Sequence, residues 1–170
     1  MSHTSTKAPP NDLYDADFHA WTQEQARALE ESRWADVDAV NLAEEIRTLG
    51  RGVQREIAER LEILVSYLLK WQQLSEYRGL AWKENIDRQR REIGDLFREN
   101  PSLAASREQF VARGYENSRR RLKYETYFFE NDFPASCPFS AQQVFDAEYF
   151  PEELDAPAIG SLPTARSIGR

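Results

Sequence analysis

Apolar residues recur at intervals of three and four along most of this chain, a period that predicts α-helices. Phe18, Trp21, Gln25, Ala28 and Leu29 share one face, which predicts a first helix from about Asp15 to Glu31. A short connection around Ser32–Trp34 follows. A second helix then starts near Asp36, a favourable N-cap, and carries Ala39, Leu42, Ile46 and Leu49 on one side. Gly50 comes next, where a left-handed residue ends many helices.

The strongest pattern lies at about 53–75. Val53, Ile57, Leu61, Leu64, Leu68 and Trp71 form a stripe that Ile63, Val65, Tyr67, Leu69 and Leu74 widen to most of the circumference. Glu59, Glu62, Ser66, Lys70 and Gln73 leave only a narrow polar edge, so this helix belongs in the middle of a bundle. A fourth helix, about Leu80 to Glu99, carries Trp82, Ile86, Ile93, Leu96 and Phe97. Asn100-Pro101 reads as an N-cap with proline at the first position, opening a fifth helix to about Phe129. Its stripe is Leu103, Phe110, Val111, Tyr115, Leu122 and Phe129, with Ser118 and Thr126 between. Ser140 and Gln143 match a capping box, and Phe139 with Val144 a hydrophobic staple, which predicts a short last helix from Ala141 to about Asp146.

The expected fold is therefore all-α: a single-domain bundle of about five main helices plus a short C-terminal one, built around the helix at 53–75. Residues 1–11 and about 156–170 hold little to bury and read as flexible tails around a domain at 12–155. No strand alternation and no fixed-period repeat is present. The dense stretch from Leu61 to Leu74 is broken by Glu62, Ser66, Lys70, Gln72 and Gln73, which excludes an ordinary membrane span.

Charge adds a regional asymmetry. The net charge of −7 works against attraction of the whole chain to nucleic acid or anionic membranes. Residues 71–123, however, carry 12 Lys and Arg against 8 Asp and Glu, which makes the middle of the chain locally basic. The one cysteine, Cys137, permits no internal disulfide and fits a reducing, cytoplasmic setting; no leader pattern opens the chain.

The inventory for chemistry is thin, and no catalytic residue, metal ligand set or cofactor motif emerges. The two histidines, His3 and His19, lack the Glu-x-x-His spacing of bundle di-metal sites and cannot complete a zinc shell with one cysteine. Cys137, before the last helix, reads as a small apolar residue with the alternative of a reactive thiol. Gly50-Arg51-Gly52 lacks the phosphate-loop pattern.

Three clusters remain as candidates. Asp38, Asn41, Glu44 and Glu45 form an acidic cluster that suits acid–base chemistry or a hard cation, or else a solvated helix start. Trp71, Tyr77 and Trp82 flank the third bend and suit an aromatic groove, or else simply close it. Arg113, Arg119, Arg120 and Lys123 head a basic face within 88–123, although Glu84–Arg88, Asp87–Arg91 and Glu116–Arg120 have ion-pair spacing.

Several blocks resemble a bacterial family known as domain of unknown function number twenty-nine. They are "LYDADFHAW" at 13–21, Asp38 with "NLAEEI" at 41–46, "LGR" at 49–51, "LLKWQ" at 68–72 with Trp82 and Ile86, "NPSL" at 100–103, "CP" at 137–138 and "FPE" at 150–152. Order and spacing agree over about 12–152, with Tyr67 standing where members often carry His. The resemblance implies an all-helical protein and supplies no catalytic residues.

By elimination, the expected function is a non-enzymatic interaction or regulatory module with a protein partner or a second copy of itself, outside the membrane. The alternatives are a nucleic-acid-associated protein using the basic face and, more weakly, a carboxylate-dependent enzyme at Asp38, Glu44 and Glu45.

Overall fold

A computed structural model describes residues 10–126 and 128–152. Among them every regular element is helical: α1 (Pro10–Ala16), α2 (Phe18–Glu30), α3 (Ala39–Gln73), α4 (Leu80–Glu99), α5 (Arg107–Glu125) and α6 (Ala141–Phe145), joined by short 3₁₀ turns. The fold is all-α, as the hydrophobic period predicts. Residues up to Gly52 and residues from Val53 onward form two compact units. Of the tails expected at 1–11 and 156–170, residues 1–9 and 156–170 lie outside the described residues, whereas Pro10 and Asn11 open α1.

In the first unit, the helix expected at about 15–31 is split. Asp17 leaves the helical region (φ −153°, ψ 88°), and its carboxylate accepts the Ala20 N–H at 2.9 Å, so α1 ends and α2 is capped at one residue. Trp21 is buried, edge-on to Tyr14 at 4.8 Å and stacked on Phe18 at 5.6 Å. The end of α2 is a Schellman turn: the Arg33 N–H reaches the Ala28 carbonyl and the Ser32 N–H the Leu29 carbonyl, with Ser32 in the left-handed region (φ 56°). Arg33 then gathers Glu31, Asp36 and Glu24.

The main correction concerns Gly50. It does not end a helix: α3 runs unbroken through Gly50 and Gly52, and neither glycine takes a positive φ. A glycine stop needs that left-handed turn; without it the helix continues, at about 1 kcal/mol per interior glycine.

In the second unit, Ile57, Leu61, Leu64, Val65, Leu68 and Leu69 of α3 are all buried, as the circumferential pattern requires. They form one core with Ile86, Ile93 and Phe97 of α4, Phe110, Val111, Tyr115 and Leu122 of α5, and Val144 of α6. Ser66, expected on the polar edge, is buried and donates to the Glu62 carbonyl at 2.7 Å. α5 approaches α3 closely at Gly114, where a Cβ would stand 2.8 Å from the Leu61 Cβ.

Asn100 closes α4, its N–H and its side-chain amide both donating to the Leu96 carbonyl; it also stands at the N-cap position, ahead of Pro101, but of a 3₁₀ turn at 101–106, so α5 begins only at Arg107. α5 also stops early. Thr126 is extended, and its hydroxyl donates back to the Leu122 carbonyl at 2.6 Å. As a result Phe129 is exposed, and Phe128 is buried against Phe133 instead. The capping box of α6 forms as the sequence indicates.

Candidate functional site

The acidic cluster resolves into local structure. Asp38, buried, caps α3 by accepting from the Asn41 N–H (3.2 Å) and the Asn41 amide (2.7 Å), while the Asp38 N–H donates to Gln25 Oε1 at 2.7 Å. The cap is Asp38 and not Asp36, which serves Arg33. Glu45 accepts the Tyr14 hydroxyl at 2.6 Å, and that bond pushes the Tyr14 phenol up. Glu44 pairs with Arg51 at 2.6 Å and Arg47 at 3.6 Å, and the Arg51 hydrogen bond leads the effects that hold its carboxyl below the ordinary range. A general acid needs the opposite shift. Among the described residues no group of three or more His, Cys, Asp and Glu stands close enough to hold a metal ion.

Beside this polar frame runs the apolar side of the helix that carries Leu42, Ile46 and Leu49. Ile46 is 60% exposed and Leu49 73% exposed. With half-buried Leu42 they lie within about 60° of one another around α3, given 3.6 residues per turn. Ala39, Ala43 and Gly50 form one flank of this seam. A Cβ on Gly50 would meet nothing within 4 Å, so the flank is open. The sequence signal was the same period that marks a core stripe; only the structure shows it uncovered.

The aromatic groove does not assemble. Trp71 packs on Phe150 (4.8 Å) beneath the Arg78 guanidinium (5.6 Å), and Trp82 meets Tyr67 edge-on at 6.3 Å. Tyr77 is exposed, and among the described residues no ring contact joins the three. Cys137 is half-buried against the core; burial pushes its thiol up, opposed by the Phe139 main chain. That is the environment of an inert cysteine. His19 is exposed on α2, and His3 lies outside the described residues.

The basic face is thinner than its composition. Arg90 is 7% exposed and turned inward: Nε donates to the Val144 carbonyl (2.9 Å), Nη1 to Ala147 (3.2 Å) and Nη2 to Tyr149 (2.7 Å). Arg119 lies over the Tyr115 ring at 5.9 Å, and Arg121 reaches Glu125 (2.6 Å) and Glu62 (3.5 Å). Glu84–Arg88, Asp87–Arg91 and Glu116–Arg120 do not form as ion pairs. Arg88 turns to Asn85, and Glu92 meets Arg60. Arg113, Arg120 and Lys123 are exposed on one side of α5 and make no ion pair among the described residues, next to Tyr124 at 84% exposure. Arg120 and Tyr124 border a shallow, open depression of about 390 Å³ with Glu62, Asn117, Arg121 and Glu125.

No helix among the described residues is long and apolar enough to cross a membrane. Neither a curated protein nor a solved structure matches the chain. A family model described as "Domain of unknown function DUF29" matches residues 13–150, the span that holds every block of the resemblance except the end of "FPE", and the chain belongs to that family.

Proposed function

We propose that this chain is a non-enzymatic protein-interaction module of the cytoplasm, and that its contact surface is the uncovered apolar seam of α3. The observation that carries the reading is the exposure of Ile46 and Leu49 on one face of a regular helix. Burying a side chain of this size is worth about 1.5–3 kcal/mol, so leaving two uncovered side by side is a standing drive toward a partner. The neighbouring carboxylates support it too, since Asp38, Glu44 and Glu45 already hold a cap, two arginines and a tyrosine. The test is affinity capture from native lysate with the wild-type chain and with Ile46→Asp plus Leu49→Asp. Proteins held by the wild type and lost by the variant, at unchanged helicity, support the reading. An identical set from both removes it.

A second reading rests on Arg113, Arg120 and Lys123, exposed cations that make no ion pair among the described residues and stand beside an exposed ring. Single-stranded nucleic acid is held by such pairings of charge and stacking. Titrating a labelled single strand at two salt concentrations tests it. Replacing all three cations by Ala would lower the salt slope by up to about 3 if each meets a phosphate. No binding at low salt ends this alternative.

A further inference from the structure

We infer that α3 carries a hinge at Gly50–Gly52, where the helix opens and lets the two compact units turn relative to one another. Packing changes abruptly along this helix. From Ala39 to Glu56 none of its residues is buried, whereas eight are buried between Ile57 and Leu69. Ile46, Arg47, Thr48, Leu49, Gly50 and Arg51 are all exposed. At about 100° per residue these consecutive positions reach round the whole circumference, so no side of these turns is covered by another described element. Helices in proteins owe most of their stability to a packed face, and this stretch has none.

Two glycines fall in or beside this bare stretch. Each weakens a helix about four- to fivefold relative to alanine. Gly114 has a packing reason to lack a side chain, but a Cβ at Gly50 or Gly52 would meet nothing within 4 Å. Close packing within the chain therefore does not call for them. The boundary between the two units falls directly after Gly52, so the weakest turns of α3 coincide with the join. Hinges are a few residues that absorb a large change in φ and ψ, and glycine does so without a Cβ penalty. The closed state is held by side chains. Arg51 reaches back over Gly50 to Glu44 at 2.6 Å and to Thr48 at 2.7 Å. Both arginine and glutamate are more than half exposed, so salt screens this strap and it gives way when the helix opens beneath it. The hinge does not depend on what the seam binds.

The test is amide hydrogen exchange of the full chain, read residue by residue by NMR, with pulsed dipolar EPR as the second readout. The amides of 50–56, whose helical bonds cross the hinge, should exchange far faster than those of 61–69. Gly50→Ala plus Gly52→Ala should slow exchange at 50–56 by about fifteen- to thirtyfold, and both alanines stand in open space, so the variant folds. Gly94→Ala, equally free of contacts, should leave these amides as they are. For the distance measurement, spin labels go on His19→Cys of α2 and Arg91→Cys of α4, both exposed positions, in a Cys137→Ser background. The expected distribution is broad with the two glycines and narrow with the two alanines. A distribution equally narrow in both overturns the hinge. So does exchange at 50–56 that the alanines leave unchanged, or that Gly94→Ala slows as much.

Discussion

Gly114→Ala adds one methyl group and should destabilise the chain. A Cβ at 114 would stand 2.8 Å from the Leu61 Cβ, 3.1 Å from the Leu61 carbonyl carbon and 3.3 Å from the Glu62 nitrogen. Carbon atoms rest at about 3.5–4.0 Å, so α5 and α3 must separate by roughly 0.7–1.2 Å at this point. None of the three atoms is the tip of a flexible side chain, and Leu61 is fully buried. Helix propensity works the other way, because Ala is favoured over Gly by about 1 kcal/mol in a helix interior. Overpacking of this kind costs about 1–3 kcal/mol, and here it falls on main chain, so the upper part of that range applies. The net expectation is a loss of about 1–2 kcal/mol, or about 3–6 °C in Tm for a chain of this length. Gly94→Ala is the matched control. It is also interior to a helix, but its Cβ would meet nothing within 4 Å, so it should gain about 0.5–1 kcal/mol. Urea titrations followed by circular dichroism at 222 nm measure both. If the two substitutions stabilise equally, α5 does not cross α3 at Gly114 and the packing argument is wrong.

Other outcomes can be checked in the same material. Ser32→Gly should add about 1 kcal/mol, because Ser32 holds the left-handed position of a Schellman turn that glycine occupies without a Cβ penalty; an unchanged urea midpoint would refute it. Arg90→Lys should cost about 2–4 kcal/mol, since a lysine cannot serve three carbonyls from one planar fork; hydrogen exchange should then accelerate at 144–149, and wild-type protection there would contradict the clasp. Burial leads the effects that push the Tyr115 phenol up to about 12, against about 10 in the unfolded chain. The fold therefore favours the protonated phenol: its contribution is complete below pH 10 and is lost as pH climbs through 12. Tyr115→Phe should remove that alkaline loss while costing about 1 kcal/mol at neutral pH for the hydrogen bond to the Pro134 carbonyl; a variant with the wild-type alkaline profile would assign the loss elsewhere.

What the sequence made legible follows from which signals are redundant. The buried half of α3 was readable because apolar residues surround it, and only a bundle interior accommodates such a helix. The box at Ser140 and Gln143 was readable because both partners are local. The errors arose where one residue type serves two ends. Gly50 suits a helix stop only with a left-handed backbone, which composition does not reveal, and Ser32 took that backbone without being glycine. Asn100 stands at both a C-cap and an N-cap position, and its side chain serves the Leu96 carbonyl of the helix it closes. Among the candidate sites, Arg90 was counted with the surface cations because its acceptors lie 54 to 59 residues away in sequence. The period at Ile46 and Leu49 reports a shared helix face and says nothing about what covers it, so their exposure is visible only in the structure.

The Arg90 clasp has a consequence for the order in which the protein is made. On the ribosome Arg90 emerges first, and Val144 follows 54 residues later, about 3–11 s at ordinary elongation rates. During that interval the guanidinium has no main-chain oxygens waiting for it, and stays hydrated outside a core that cannot yet close around it. The segment from Val144 to Tyr149 therefore acts as the latch of the second unit, and a slow codon between 90 and 144 would prolong the time its apolar residues stand open to nascent-chain chaperones.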